Sequence, residues 1–488
     1  MKFNFINYLF FCSLVFLLYW NGAIKKNYQN LIILLANYAF YLFWDWRFLS
    51  LILITSITDY SLGLQIYKAN KYAIKKIFLT LSLLINFGIL CYFKYFNFFI
   101  LSFNDLFSSI GINLNLNIVS LLLPIGISFY TFKSASYTID IFRNKIHPTT
   151  NAIAYFTFVG FFPQLAAGPI DRASNLLPQF EKTRLFDLGI ASDGMRQILW
   201  GLFKKIVIAD NLSISVNYIF SNYTKLDGSI LFLGGIYFAF QLYADFSGYS
   251  DIAIGLAHLL GINSVKNFNF PYFSINFREF WQRWHISLTT WFRDYVFLPV
   301  AFYFNKKLKK NHYFNVQTEF WIYIFGIVIT WLLVGIWHGA EWTFVFWGLY
   351  HALFLILSNV TKNFRSLVYK KLNIKRKSTV IYIWRCLLTF ILVMISWVFF
   401  RANNIGEAFI YIKQMFSKTL FVFPSQQRSN LFILFIFILI EWMQRNKMHG
   451  LEISNLKNFH RKLIYIIISL SILIFGAEKE LAFIYSQF

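Results

Sequence analysis

Apolar residues in this chain come in long runs, too long for the amphipathic helices or alternating strands of a soluble core. Runs at 5–20, 31–43, 48–67, 77–100, 118–132, 230–260, 320–336, 342–357, 380–400, 431–442 and 463–475 are each a candidate span. A straight crossing of a bilayer core roughly 30 Å thick needs about 20 helical residues, so the shorter runs must tilt, re-enter or lean on neighbours. The stretch 152–210 breaks the pattern. There Pro163, Gly168 and Pro169 interrupt any continuous helix, and a charged segment follows from Glu181 to Arg196. Broken backbone at membrane depth is tolerated only inside protein or beside a water-filled cavity, so this stretch is expected to be re-entrant or interfacial and to line a cavity.

Composition agrees with the pattern. The 488 residues are 58% hydrophobic, 22% aromatic and 14% charged, which fits an all-α, polytopic membrane protein and one integral domain over 1–488. The loops are too short to fold by themselves, and no repeat or linker stands out. Forty-five Lys and Arg against 21 Asp and Glu leave a net charge of +24. The basic residues cluster in short loops, as Lys25 and Lys26, as Lys68, Lys71, Lys75 and Lys76, and as Lys370, Lys371, Lys375, Arg376 and Lys377. That is the positive-inside arrangement, with no basic stripe for nucleic acid. It puts the first loops in the cytoplasm, a hairpin turn at Trp44-Asp-Trp-Arg47 on the outer face, and the amino terminus outside. Only Lys2 precedes the first run and no small-residue cleavage site follows it, so that run reads as a retained helix. Cys12, Cys91 and Cys386 are isolated in apolar segments and read as small buried hydrophobes.

Candidate chemistry sits in two histidine segments. His338 falls in Gly335-Ile-Trp-His-Gly-Ala-Glu-Trp-Thr-Phe344, just after an apolar run, and an ionisable ring there is costly enough to point to a function. Gly335 and Gly339 also make a Gly-x-x-x-Gly spacing, whose plainer reading is a helix-packing seam, and the functional reading of His338 is preferred to it. Glu341 shares a helix face with His338 if the helix continues through Gly339, and could then fix its tautomer; otherwise it marks the water-facing helix end. His285 ends Glu279-Phe-Trp-Gln-Arg-Trp-His285. Its plainer reading is an interfacial amphipathic helix with a Glu279–Arg283 pair and a belt of Trp281, Trp284 and Trp291. Asp245 and Asp251 interrupt the run at 230–260 and require polar partners, so a structural network is the first reading for them. Phosphate-loop, nucleophile-elbow and His-Glu-x-x-His patterns are absent.

Five segments resemble the membrane-bound O-acyltransferase family, in its bacterial branch of alginate and peptidoglycan O-acetyltransferases and, less closely, the teichoic-acid D-alanyl transfer protein. They are Leu123-Pro-Ile-Gly-Ile-Ser-Phe-Tyr-Thr-Phe132, Phe162-Pro-Gln-Leu-Ala-Ala-Gly-Pro-Ile170, Asp245-Phe-Ser-Gly-Tyr-Ser-Asp251, Asn276-Phe-Arg-Glu-Phe-Trp-Gln-Arg-Trp-His285 and the segment around His338. The resemblance implies a ring of roughly 11 helices with re-entrant segments around a central funnel. It also implies that His338 is catalytic and that His285 is a second polar group near it.

A neutral imidazole at His338 has a free nitrogen to take the proton of an acceptor hydroxyl as it attacks a thioester. Arg283 or a tryptophan N–H such as that of Trp337 is expected to stabilise the oxyanion, with Glu341 and Asp251 in support. The expected activity is acyl transfer, foremost acetyl transfer, at the cytoplasmic (inner) membrane. The donor is a cytoplasmic thioester, acetyl-CoA or an acyl carrier, with no bound cofactor or metal. The acceptor is an extracytoplasmic envelope polysaccharide, or a partner acetyltransferase that relays the group; nucleic acid is not a partner. D-alanyl transfer to teichoic acid is the alternative within this chemistry. A transporter or flippase with a histidine proton relay is the rival outside it, although inverted repeats are not found.

Overall fold

In the computed structural model, which describes residues 5–21, 25–114, 116–119, 121–165, 167–372 and 378–476, the chain is almost wholly helical. Seven helices among these residues are long and apolar enough to cross a membrane, and three shorter apolar helices accompany them. This is a multi-pass, all-α membrane protein. Two-residue strands at His312–Tyr313 and Val316–Gln317 form one hairpin among the described residues. Phe314 and Asn315 turn it with φ of 51° and 57°, the left-handed pair that a two-residue turn between twisted strands requires. Lys2 and the basic cluster at Lys375, Arg376 and Lys377 lie outside the described residues.

The chain folds as two compact units, residues 1–198 with 250–265 and residues 199–249 with 266–488. In the first, Leu49–Lys68 follows the predicted run at 48–67 closely, while Lys26–Trp44 and Tyr72–Ser109 contain the runs at 31–43 and 77–100 and extend beyond them. At 38 residues Tyr72–Ser109 is about 57 Å long, well beyond a hydrocarbon core of ~30 Å. The run at 118–132 is not one span. Its helix, Ile127–Phe142, begins only after Pro124 and Gly126, the latter at φ 70°. A Cβ at Gly126 would meet the Leu165 carbonyl oxygen at 2.5 Å, so glycine is needed for the close approach as well as for the turn. Ahead of it the described residues 112–114, 116–119 and 121–124 form no helix, and two of them are clamped to the long helix. Asn97 and Asn104 each exchange two amide hydrogen bonds with the backbone, at Val119 and Leu116, which satisfies peptide groups that no helix serves.

Ile127–Phe142 is buried on nearly all sides, so its polar residues must find partners within the protein. Ser134, together with Ser82 and Asn86 of the long helix, donates to the buried carboxylate of Asp59 at 2.5–2.7 Å. Buried Lys133 donates to Gln164 Oε1 at 3.0 Å, and Gln164 donates in turn to Asp171 at 2.7 Å. The break expected near Pro163 is real: helices Ala152–Gly160, Phe162–Leu165 and Ala173–Phe180 replace one continuous rod. It delivers Gln164 between a buried cation and a buried anion.

In the second unit Thr318–His338 and Trp342–Val360 form a helical hairpin, with Thr379–Arg401 packed on the latter. The hairpin closes tightly where two glycines meet. A Cβ at Gly335 would lie 2.4 Å from the Phe344 carbonyl oxygen, and one at Gly348 2.3 Å from that of Trp331. Gly335 is therefore a packing residue, as its spacing allowed, and its partner is the helix that follows in sequence. A π-helical stretch, Phe203–Asp210, carries Lys205, whose ammonium lies 2.8 Å from both Asp210 and Asp245. Asp245 thus has the basic partner its position required. Of the cysteines, Cys386 is buried, Cys12 partly so, and Cys91 exposed.

Candidate active site

His338 is the last residue of Thr318–His338, at the tip of the hairpin, and only 2% exposed. Gly339 is extended, at φ −159°, and ends the helix. The helix therefore does not continue to Glu341, and the shared face expected for His338 and Glu341 does not form. Glu341 is instead the N-cap of Trp342–Val360 and is exposed, which matches its alternative reading as a helix-end marker. Rings enclose His338. Its centroid lies 4.8 Å from Trp337, 4.9 Å from Trp347 and 5.4 Å from Phe400, each approached nearly edge to face.

His285 stands in the left-handed region, φ 43° and ψ 54°, between helices Phe277–Arg283 and Ile286–Phe292. A non-glycine residue there carries strain that its surroundings must hold in place. They do so from both ends. Ile286 N–H donates to the Asn267 carbonyl at 2.8 Å, and the imidazole Nδ1 lies 3.0 Å from Asn267 Oδ1. His285 is fully buried, and burial pushes its imidazole down to about 3, so the ring is neutral. Trp337 links the two histidines, its ring centroid 6.0 Å from that of His285. The interfacial tryptophan belt considered for this segment is not found: Trp281, Trp284 and Trp291 are each at most 3% exposed and belong to the packed core.

Arg283 and Glu279 do form the i,i+4 pair, at 2.8 Å. The guanidinium also donates to the Asn269 carbonyl, and Asn269 N–H donates back to the Arg283 carbonyl at 2.8 Å. Arg283 therefore pins the segment containing Asn267 to helix Phe277–Arg283, with each of its three guanidinium nitrogens engaged in that clamp. Asp251 lies in the first unit, where it accepts from Gln197 at 2.9 Å.

Sequence reasoning passed over His351. It is fully buried on Trp342–Val360, one helical turn beyond Trp347. Trp281 donates its indole N–H to His351 Nδ1 at 3.2 Å, while Nε2 lies 3.1 Å from Ser396 Oγ, whose own proton goes to the Val393 carbonyl. Both nitrogens are used, so His351 is a tautomer-fixed strut. The available signal was an ionisable residue inside an apolar run. The indole N–H groups of Trp284, Trp347 and Trp397 are buried with no acceptor among the described residues. Those three rings follow one another, Trp284 tilted by 42° against Trp397 at 5.0 Å and Trp397 stacked on Trp347 at 5.7 Å. Trp347 in turn touches His338. Two buried histidines, His285 among them neutral, and indole N–H donors with no acceptor among the described residues thus occur in one aromatic cluster, an arrangement able to support attack of a hydroxyl on a carbonyl.

A family model for the membrane-bound O-acyltransferases matches residues 39–402. The chain is 38% identical to the probable alginate O-acetylase AlgI of Azotobacter vinelandii, over 80% of its own length and 73% of that protein. It is 32% identical to the peptidoglycan O-acetyltransferase of Helicobacter pylori, over 80% and 75%. Identity to the teichoic acid D-alanyltransferase of Bacillus subtilis is 31%, over 55% of this chain and 66% of that one.

Proposed function

This chain belongs to the membrane-bound O-acyltransferase family, and from that premise we propose that it moves an acetyl group from a cytoplasmic thioester to a hydroxyl of an extracytoplasmic envelope polysaccharide. The carrying observation is His338, buried at a hairpin tip against Trp337 and Trp347. His338 takes the proton of the attacking hydroxyl. The new C–O bond forms as the carbonyl electrons move onto oxygen, where the Trp347 N–H stabilises the charge. Collapse breaks the C–S bond, and the proton held by His338 leaves with the thiolate. General-base help is worth about 10²–10⁴-fold, so donors aimed at the oxyanion carry a comparable share. His285 is the second acceptor of the site.

Acetyl transfer is preferred because the similarity to acetylating relatives extends over 80% of the chain, against 55% for the D-alanyl relative. Acetyl-CoA or an acyl carrier as donor, the cytoplasmic membrane as location and an extracytoplasmic relay protein belong to the same proposal. The test is His338→Ala in the cell that makes the protein, reading alkali-released acetate and D-alanine from its envelope. Loss of acetate with unchanged protein in the membrane supports the proposal. Undiminished acetate release refutes His338 as base, and loss of D-alanine in place of acetate assigns the other acyl group.

A further inference from the structure

Asn267 lies on the segment joining Gly228–Leu259 to Phe277–Arg283 and is fully buried. Its side-chain oxygen accepts from Ser287 Oγ at 2.8 Å and from the Ser287 backbone N–H at 3.4 Å. The Ser287 N–H aimed at it identifies this atom as the amide oxygen, which carries no proton and can only accept, so the bond to His285 Nδ1 at 3.0 Å requires the proton on the imidazole. His285 is thereby held as the Nδ1–H tautomer, with its lone pair on Nε2. That Nε2 atom is buried and has no hydrogen-bond partner among the described residues. A ring whose N–H is fixed by a carbonyl oxygen and whose other nitrogen is left as an acceptor is the arrangement of an oriented base.

Resting on the acyl-transfer reading above, we propose that Asn267 is a positioning residue for transfer, which acts by holding His285 in the tautomer and ring orientation that present Nε2 to the reacting groups. The walls around the imidazole are aromatic: Phe246 at 4.7 Å, Trp337 at 6.0 Å and Phe268 at 6.2 Å between centroids. Charged groups on the elements packed against it are engaged elsewhere. Asp245, next to Phe246, pairs with Lys205; Arg283 pairs with Glu279; Lys266, next to Asn267, donates to Asn269 and to the Lys447 carbonyl. His338 follows Trp337 in the chain and packs edge-on against that indole. The neutral amide of Asn267 is therefore what sets the ring's protonation pattern, and an acid in its place would draw His285 toward the imidazolium, which has no lone pair to offer.

The experiment measures transfer of radiolabelled acetyl-CoA into alkali-labile envelope material by membranes bearing the full chain. It compares wild type, Asn267→Ala, Asn267→Asp, His285→Gln, the Asn267→Ala/His285→Gln double variant and His338→Ala. Asn267→Ala is expected to lower kcat about ten-fold or more, with KM for acetyl-CoA within about two-fold, because the loss falls on the transition state. The double variant is expected to be no worse than His285→Gln, since Asn267 acts only through that ring. Asn267→Asp, close in shape, is expected to move the acid limb of the pH profile upward by about one unit or more. It decides the matter alone if Asn267→Ala does not accumulate in the membrane. Wild-type kcat and pH profile in Asn267→Asp, or additive losses in the double variant, overturn this inference while an inactive His338→Ala leaves the acyl-transfer reading standing. Full activity in His338→Ala instead removes that reading itself.

Discussion

Trp281 donates to His351 Nδ1 at 3.2 Å, a side-chain bond between helix Phe277–Arg283 and the second arm of the hairpin. Because His351 also engages Ser396 of Thr379–Arg401, it ties three helices together around Trp347 without presenting a nitrogen to substrate. His351→Ala leaves a buried indole N–H without an acceptor and opens a cavity, at a cost of about 3 kcal/mol. We expect a lower melting temperature in detergent and less protein in the membrane, with transfer per folded molecule far above that of His338→Ala. A variant as stable as wild type yet inactive would instead place His351 in the chemistry.

The glycine crossing makes a second prediction. Methyl groups at Gly335 or Gly348 meet backbone carbonyl oxygens at 2.4 and 2.3 Å, and backbone cannot swing aside as a side chain can. The two helices must separate, and His338 at the hairpin tip moves with them. Displacement of a reacting group by ~1 Å can cost on the order of 10² in rate. Gly335→Ala and Gly348→Ala are expected to lose most transfer and to melt earlier, whereas Gly88→Ala, whose methyl meets nothing within 4 Å, should match wild type. Equal activity in all three would show that the crossing does not position His338.

Hydropathy located most of the helices because lipid and protein core both select apolar side chains, as in Thr318–His338 against the predicted 320–336. It failed at 118–132, where a segment outside any helix is as apolar as a helix and only Pro124 and Gly126 mark the difference. His338 and His285 were legible as costly rings in apolar or tryptophan-rich surroundings, whereas their link through Trp337, the chain neighbour of His338, depends on a tertiary contact with His285. Glu341 was misplaced because spacing assumes a continuous helix, and Gly339 ends it. Asn267 carried no signal, since its importance depends on His285, and Asp59 carried only that of His351, an ionisable residue inside an apolar run, without showing its partners Ser82, Asn86 and Ser134.

Acid should destabilise the protein through His285. Its folded value of about 3 lies below the ordinary 6.5 of an exposed imidazole, so the unfolded chain binds a proton that the folded ring refuses. The stability contributed is complete above pH 6.5 and declines as pH falls toward 3, by about 1.4 kcal/mol per unit. Melting temperatures in detergent between pH 7 and pH 5 should fall less steeply for His285→Gln than for wild type. Parallel curves would mean that the ring is hydrated enough to be protonated in place.

Trp347 and Arg283 divide the final prediction between them. Both carry N–H groups near the histidines, but the Arg283 donors are held by Glu279 and the Asn269 carbonyl, whereas Trp347 Nε1 is buried with no acceptor among the described residues and its ring touches that of His338. Trp347→Phe keeps an aromatic ring and deletes the donor. Removing one oxyanion donor typically costs about 10²–10³ in kcat, so this variant should fall by that order with KM nearly unchanged. Arg283→Gln breaks a structural clamp and should act mainly by loosening the Asn267 segment, lowering stability together with rate. If instead Arg283→Gln lost kcat at unchanged stability while Trp347→Phe kept it, the guanidinium would be the oxyanion donor and must leave Glu279 when substrate binds.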